Sequence, residues 1–184
     1  MNQQDNSLIR KDAVQIMDAP AIDRALRRMA HEIMERNDDL SRIVVAGIPS
    51  FGVEIAARIG RLIQEFGRVA VDTGVIDVAM HRDDVGKRAE LPVVRASKLP
   101  VPLDGRTVII VDDVLFTGRT VRAAMDAIGS FGRPALIQLA TLIDRGHREL
   151  PIRADYVGKN LPTAPDEKVR VQLGGEEGVW LLRP

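Results

Sequence analysis

Two adjacent carboxylates stand shortly before a run of hydroxyl, glycine and basic residues. Asp112 and Asp113 follow the apolar stretch 107–111, and behind them comes the sequence Thr117-Gly118-Arg119-Thr120. The first amides of a helix have no intrahelical acceptor and lie at the positive end of its dipole, so a helix that begins here would bind an anion. Carboxylates beside an anion site suit a ligand with hydroxyls on one side and a phosphate on the other, such as a ribose 5-phosphate.

A purely structural interpretation of the same residues is also possible. Asp112 and Asp113 could simply cap turns, and Thr117 could be an ordinary helix N-cap. Two carboxylates that leave a buried strand together cost stability through repulsion and desolvation unless something uses them. The run as a whole therefore favours a ligand site. It matches neither a Walker loop nor a dinucleotide-binding fingerprint.

The hydrophobic pattern predicts an α/β fold. Strand-like apolar runs, typical of a sheet buried on both faces, occur at 43–47, 107–111 and 135–143, with weaker signals at 69–80, 154–157 and 169–173. Stripes at helical spacing alternate with them at 22–33, 55–66 and 121–128, and Asp18 is the candidate N-cap of the first helix. Such an alternation predicts a parallel sheet with ligands beyond the carboxyl ends of its strands. Two strand ends are therefore of interest, 47–52 and 112–120.

Composition narrows the class of protein. The chain has 184 residues with 26 basic and 26 acidic side chains, no cysteine, and no apolar run long enough to span a membrane. We expect a single cytoplasmic domain, 1–184, with a loose polar leader at 1–12 and a long flexible loop at 83–105. The zero net charge argues weakly against a protein that binds nucleic acid through bulk electrostatics.

Two stretches of the chain carry a resemblance to known proteins. Residues 108–120 resemble the phosphoribosyl pyrophosphate motif of the type I phosphoribosyltransferases. Residues 137–163 are similar, almost residue for residue, to the bifunctional pyrimidine operon regulators and uracil phosphoribosyltransferases, the PyrR family, and 144–160 is not shared by other phosphoribosyltransferases. Ala30–Ile33 and Glu35–Asn37 fit that family's first helix. The resemblance covers about residues 12–175 and implies a parallel sheet flanked by helices, a small hood and a flexible active-site loop.

The resemblance implies a reaction that joins uracil to phosphoribosyl pyrophosphate (PRPP), giving UMP and pyrophosphate. Asp112 and Asp113 would hold the ribose hydroxyls, Arg82 would assist with pyrophosphate, and Arg145 would help to position the base. Mg²⁺ would be held mainly by pyrophosphate and ribose oxygens, without a direct protein ligand. The expected substrate-binding residues are Ser50, Phe51, Asp83, Asp84, Val114, Leu115, Phe116, Thr117, Gly118, Arg119, Thr120 and Arg145.

The resemblance also implies binding of pyr-operon leader RNA, favoured by UMP, through a basic concave surface in a homodimer or tetramer. A solvated helix face with internal salt pairs, such as Arg28–Glu32, is the plain alternative. A purine-type phosphoribosyltransferase without RNA binding is a further alternative, and the 144–160 match counts against it. The expected RNA-binding residues are Arg27, His31, Arg36, Arg148, Arg153 and Lys159.

One departure from the family pattern concerns the pyrophosphate loop. Where the family has Gly-Ile-X-Thr-Arg-Gly, this chain has Gly47-Ile48-Pro49-Ser50-Phe51-Gly52. Phe51 replaces an arginine and so removes a bidentate phosphate donor, although backbone amides still bind pyrophosphate. The alternative is that Phe51 packs and another basic side chain compensates.

We therefore expect Phe51→Arg to raise turnover, because it restores a charged donor for the leaving group. Steady-state UMP formation from uracil and PRPP measures the effect. A variant that is no faster than the parent would remove this explanation.

Overall fold

Three helices pack on a central sheet in this computed structural model, which describes residues 13–49, 51–78, 97–100 and 102–184. They are α1 (Ala19–Arg36), α2 (Gly52–Gly67) and α3 (Arg119–Ile128). The Asp18 side chain accepts a hydrogen bond of 2.8 Å from the Ala21 amide, which confirms the predicted N-cap of α1. In the described part of the chain, no helix has the length and hydrophobicity needed to cross a membrane.

The central sheet has five parallel strands in the order β3-β2-β4-β5-β6. Their bounds are Ile43–Gly47 for β2, Asp72–Val75 for β3, Thr107–Leu115 for β4, Leu136–Asp144 for β5 and Tyr156–Asn160 for β6. This architecture confirms the predicted α/β fold. It also shows that the weak strand signal at 69–80 yields one short strand in its described part.

The central strands carry long apolar runs because both of their faces are covered. Ile43 and Val45 of β2 pack in one core with α1 and α2, whereas Val44 and Ala46 pack in a second core with α3. The same alternation continues in β4, where successive side chains point to opposite faces. A strand that is buried in this way shows no polar alternation, which explains the continuous apolar runs in the sequence.

A second, antiparallel sheet forms the hood, in the order β1-β8-β7. Its strands are β1 (Ala13–Asp18), β7 (Lys168–Gln172) and β8 (Gly178–Leu182). Met17, Val171 and Val179 of these strands are buried in the same core as α1 and α2. The sequence predicted β7 but neither β1 nor β8, which are short strands with half-exposed faces.

The predicted end of the second apolar run, 107–111, is also corrected by the structure. The sequence placed the end of β4 at Val111, whereas the strand continues to Leu115 because β5 pairs with it over that length. Of the predicted loop 83–105, the described residues include Lys98, which forms a bridge with Val75, and Ser97, whose hydroxyl accepts a 2.9 Å hydrogen bond from the Asp77 amide.

An ion-pair cluster connects the hood to α2, and we call it the hood tether. Arg58 of α2 donates hydrogen bonds to both carboxylate oxygens of Glu177, which precedes β8, and to Glu54 one turn away on α2. The Glu177 carboxylate also accepts a hydrogen bond of 3.1 Å from the Gly174 amide. The hydrogen bonds from Arg58 hold the pKa of Glu177 at about 2, well below its usual 4.5.

This depressed pKa makes the hood tether sensitive to acid. Because the pKa of Glu177 is lower in the folded state, its contribution is complete above about pH 4.5 and is lost as the pH falls toward about 2. We expect Glu177→Gln to lower the melting temperature at neutral pH and to flatten the loss of stability between those two values. Thermal melts across that pH range measure the effect.

Glu176→Gln is the matched control, because Glu176 is the adjacent glutamate and its side chain is exposed. It should leave the pH profile of the parent unchanged. If Glu177→Gln and Glu176→Gln give the same profile, the tether does not contribute to acid sensitivity.

Candidate active site and nucleic-acid interface

At the carboxyl edge of the sheet, β2 ends before its neighbour β4. Gly47 pairs with Val111 as the last residue of β2, whereas β4 continues beside β5 alone, with Asp112 opposite Thr141. Asp112 and Asp113 therefore lie at the point where β4 loses one neighbour. Ligands of parallel α/β sheets bind beyond carboxyl ends of this kind.

The two carboxylates are held by local hydrogen bonds. Asp112 is only 7% exposed and accepts a bond of 3.0 Å from the Asp113 amide, and half-buried Asp113 accepts one of 3.0 Å from the Val114 amide. These contacts match part of the structural alternative. They also fix the direction of both side chains before any ligand arrives, which is what a binding site requires.

A left-handed glycine connects β4 to α3. Gly118 has a φ of 91° and occupies the N-cap position, so Thr117 is not the N-cap. The Thr117 hydroxyl instead accepts a weak 3.4 Å contact from the Arg119 amide. We call residues 115–120 the phosphate loop, because their amides begin a helix at the edge that carries both carboxylates.

A neighbouring segment packs along the phosphate loop. The amides of Glu149 and Leu150 both donate to the Thr117 carbonyl, at 3.0 and 3.2 Å, and the Arg145 amide donates to Leu115. Arg119 forms an ion pair of 2.6 Å with Glu149 across the same boundary. The segment 144–152 therefore supports the phosphate loop from one side, and we call this support the backing of the loop. The sequence did not indicate it.

The pyrophosphate loop lies directly against β4. The Ile48 amide donates to the Val111 carbonyl at 2.9 Å, and a Cβ on Gly52 would stand 2.4 Å from that same oxygen, so only glycine fits there. The half-buried Phe51 ring packs against the core shared by α1 and α2, as the packing alternative expected. The two strand ends singled out in the sequence are thus adjacent.

Arg145 is buried and already bonded. Its guanidinium donates to the Thr163 hydroxyl and to the carbonyls of Ala164 and Glu167, and it lies 4.2 Å from the Phe116 ring centroid. Burial lowers the pKa of Arg145. These bonds use Nε and Nη2 of the guanidinium, and base positioning by Arg145 stays a prediction.

Four expected site residues lie outside the described residues. They are Ser50, Arg82, Asp83 and Asp84. Among the residues that the structure does describe, no group of three or more acidic or histidine side chains is arranged to hold a metal ion.

The expected RNA-binding residues of α1 lie on its exposed face. Arg27 pairs with Asp23 at 2.8 Å, and this hydrogen bond raises the pKa of Arg27. His31 stacks on Phe66 of α2, with ring centroids 4.4 Å apart. Arg36 pairs with Asp155 at 3.0 Å. Salt pairs of the solvated-face alternative are therefore present, and the side chains of Arg27 and Arg36 are 46% and 56% exposed.

Lys159 joins this face through a groove between α1, β1 and β6. The groove is lined on its basic side by Arg24, Arg28 and Lys159. Arg28 forms the predicted pair with Glu32 at 2.6 Å and also donates to the carbonyls of Val157 and Gly158. Arg153 is exposed just before β6. Arg24 and Arg28 were outside the set of expected RNA-binding residues, although both belong to the same basic stretch of the first helix.

Arg148 differs from the other expected RNA contacts. Its side chain is only 21% exposed and its guanidinium donates to Asp144 and to several backbone carbonyls around the phosphate loop. The structure thus uses this side chain internally, where the sequence analysis placed it on an RNA surface.

The chain matches the phosphoribosyl transferase domain family over residues 12–174. Solved structures agree on the fold. A hypoxanthine-guanine phosphoribosyltransferase from Bacillus anthracis is 21% identical, with a TM-score of 0.69 over 92% of this chain and 97% of the other. A hypoxanthine phosphoribosyltransferase from Trypanosoma cruzi is 19% identical, with a TM-score of 0.70 over 92% and 96%. The fold and the site define a type I phosphoribosyltransferase.

Relatives of much higher identity narrow the class. The bifunctional protein PyrR of Roseiflexus sp. is 54% identical over 92% of this chain and 94% of its own length. That of Clostridioides difficile is 52% identical over 92% and 98%. This chain belongs to the PyrR family. Membership confirms, at the level of the family, the predicted function of pyrimidine operon regulation with uracil phosphoribosyltransferase activity.

The left-handed glycine of the phosphate loop can be tested against a neighbouring glycine. We expect Gly118→Ala to lower the free energy of unfolding by about 1–3 kcal/mol, because a side chain at this φ is strained and its Cβ would stand 3.3 Å from Ile152. Denaturant unfolding measures the effect.

Gly129→Ala is the matched control, since Gly129 has helical angles and nothing within 4 Å of its Cβ position. It should be neutral or stabilising by up to about 1 kcal/mol. Equal losses in both variants would show that the backbone at Gly118 is not strained by a side chain.

Proposed function

We propose that this chain transfers the ribose 5-phosphate group of PRPP to uracil at the edge formed by Asp112, Asp113 and the phosphate loop. The bond from C1′ of the ribose to N1 of uracil forms as the bond from C1′ to pyrophosphate breaks, and the N1 proton is released, giving UMP, pyrophosphate and a proton. The observation that carries the proposal is the continuous strand–loop–helix unit 107–128. It presents two carboxylates and the amino end of α3 at one sheet edge.

Each part of this edge has a distinct task in the proposed reaction. Asp112 and Asp113 accept hydrogen bonds from the ribose hydroxyls, and their charge favours an oxocarbenium-like transition state. The amides and hydroxyls of Thr117–Thr120 bind the 5′-phosphate. Arg82, Asp83, Asp84 and the loop 83–105 assist with pyrophosphate and exclude water that would hydrolyse the activated sugar. Catalysis on this scheme is mainly positioning together with stabilisation of the leaving group.

Phosphoribosyltransferases generally use Mg²⁺ with PRPP, and the donors at this edge fit such an ion. Mg²⁺ prefers oxygen ligands and keeps several waters and substrate phosphates, so a pair of neighbouring carboxylates is sufficient protein support. Asp112 and Asp113 would hold the ion through ribose oxygens, and the bound ion would neutralise charge on the departing pyrophosphate. Ser50, Phe51 and the backbone amides of the pyrophosphate loop would bind that group.

We propose as the second function that the outer face of α1, together with Arg153 and Lys159, binds pyr leader RNA. Arg27, His31 and Arg36 are exposed on α1, and the groove beside Lys159 adds Arg24 and Arg28. Basic side chains of this kind contact backbone phosphates, and a stacked ring such as His31 suits unpaired bases of an RNA loop. A homodimer or tetramer would enlarge this face by combining copies.

A single purified preparation tests both functions. With PRPP and Mg²⁺, we expect product from uracil and little from hypoxanthine, guanine or orotate. Product from hypoxanthine or guanine without product from uracil would support the purine-type alternative and overturn the proposal. In filter binding, leader RNA should bind more tightly than scrambled RNA, and UMP should strengthen the difference.

Salt titrations identify the RNA face within the same experiment. Lys159→Gln and Arg153→Gln should each weaken leader RNA binding and reduce the salt slope by about 1. Arg133→Gln is the control, because Arg133 is exposed at the opposite end of the sheet. An affinity for leader RNA no better than for scrambled RNA at the same salt concentration would remove the second function.

A further inference from the structure

We infer that Arg148 is a positioning residue for the 5′-phosphate site, an inference that rests on the proposed function of the phosphate loop. Its guanidinium donates to the carbonyls of Phe116, Gly146 and Ile152 at 2.8, 3.0 and 3.0 Å, and to Asp144 at 2.5 Å. A longer contact of 3.4 Å reaches the Leu115 carbonyl. One half-buried cation thus joins the end of β4 to both ends of the segment 144–152.

The direction of these bonds determines where the loop amides point. In a planar trans peptide, the carbonyl of one residue and the amide of the next point in opposite directions. Because Arg148 binds the Phe116 carbonyl, the Thr117 amide points away from the guanidinium. Because Glu149 and Leu150 bind the Thr117 carbonyl, the Gly118 amide likewise points away from the segment.

The segment 144–152 therefore binds the carbonyls of the phosphate loop, and the amides of the loop face the anion. Successive amides that face one way form a concave anion site, and its affinity depends on their being aligned before the anion binds. Arg148 supplies a charged donor to the carbonyls of this loop, and hydrogen bonds from a charged donor are stronger than those from the neutral amides of Glu149 and Leu150. Removing it loosens the peptide planes without removing any group that touches the phosphate.

Arg148→Gln tests this role, with Arg148→Lys as the conservative variant and Arg133→Gln as the control. We expect Arg148→Gln to raise the KM for PRPP and the Kd for UMP by about tenfold, with the KM for uracil unchanged, since only the anion site is disordered. Arg148→Lys, which keeps the charge but not the fork, should recover part of the loss. Arg133→Gln should match the parent.

Two further measurements separate positioning from RNA contact. In ligand-free protein, Arg148→Gln should speed hydrogen exchange at the amides of 116–118, which an RNA-contact role would not change. Without UMP, it should leave the salt slope of RNA binding unaltered, whereas Lys159→Gln lowers that slope. Unchanged UMP affinity and exchange together with a lower salt slope would overturn the inference and return Arg148 to the RNA surface.

The outcomes also distinguish this inference from the proposed function. If the parent binds neither PRPP nor UMP, the proposed function fails, and the exchange experiment still decides whether Arg148 orders the loop. If Arg148→Gln does not fold, Asp144→Asn is the second variant, because it weakens the same guanidinium's anchor while retaining the arginine. Parent-like exchange in that variant would also contradict the inference.

Discussion

The unequal pairing of β4 is the constraint on which the rest of the site depends. Up to Val111 the strand has β2 on one side and β5 on the other, and beyond it only β5 remains. Polar residues inside a sheet covered on both faces would be costly to bury, but at this step they meet the space above β2. The carboxylates, the pyrophosphate loop and the amino end of α3 meet here because the two strand ends are neighbours, and Gly52 allows them to approach closely.

Most of the central fold was predictable because its strands are buried on both faces, and burial of that kind leaves a strong signal. Ile43–Gly47 and the stripe Ile22–Ile33 were both recognised from apolar runs and helical spacing. The hood was only partly predicted, since β1 and β8 are short and owe their structure to pairing across the whole length of the chain. The end of β4 was placed too early for the same reason, as β5 decides it.

The site shows a similar division between local and distant information. The motif 112–120 is local, so its residues and the chemistry of a fitting ligand could be inferred from type and spacing alone. The backing by 144–152 could not, because nothing in the types of Arg148 or Glu149 indicates that they bond to carbonyls some thirty residues away. The sequence therefore assigned Arg148 by resemblance to the RNA surface, where a basic side chain is the simplest interpretation.

The zero net charge, which first argued against nucleic acid, conceals a separation of charge in space. The acids Asp112 and Asp113 stand at the sheet edge, whereas Arg24, Arg28 and Lys159 line the groove at α1 and β6. The segment 144–160 connects these regions. It begins at the backing of the phosphate loop and ends in β6, which Arg28 binds through two carbonyls and Arg36 approaches through Asp155. A continuous covalent and hydrogen-bonded path therefore joins the phosphate loop to the basic face, so the two regions are parts of one packed unit.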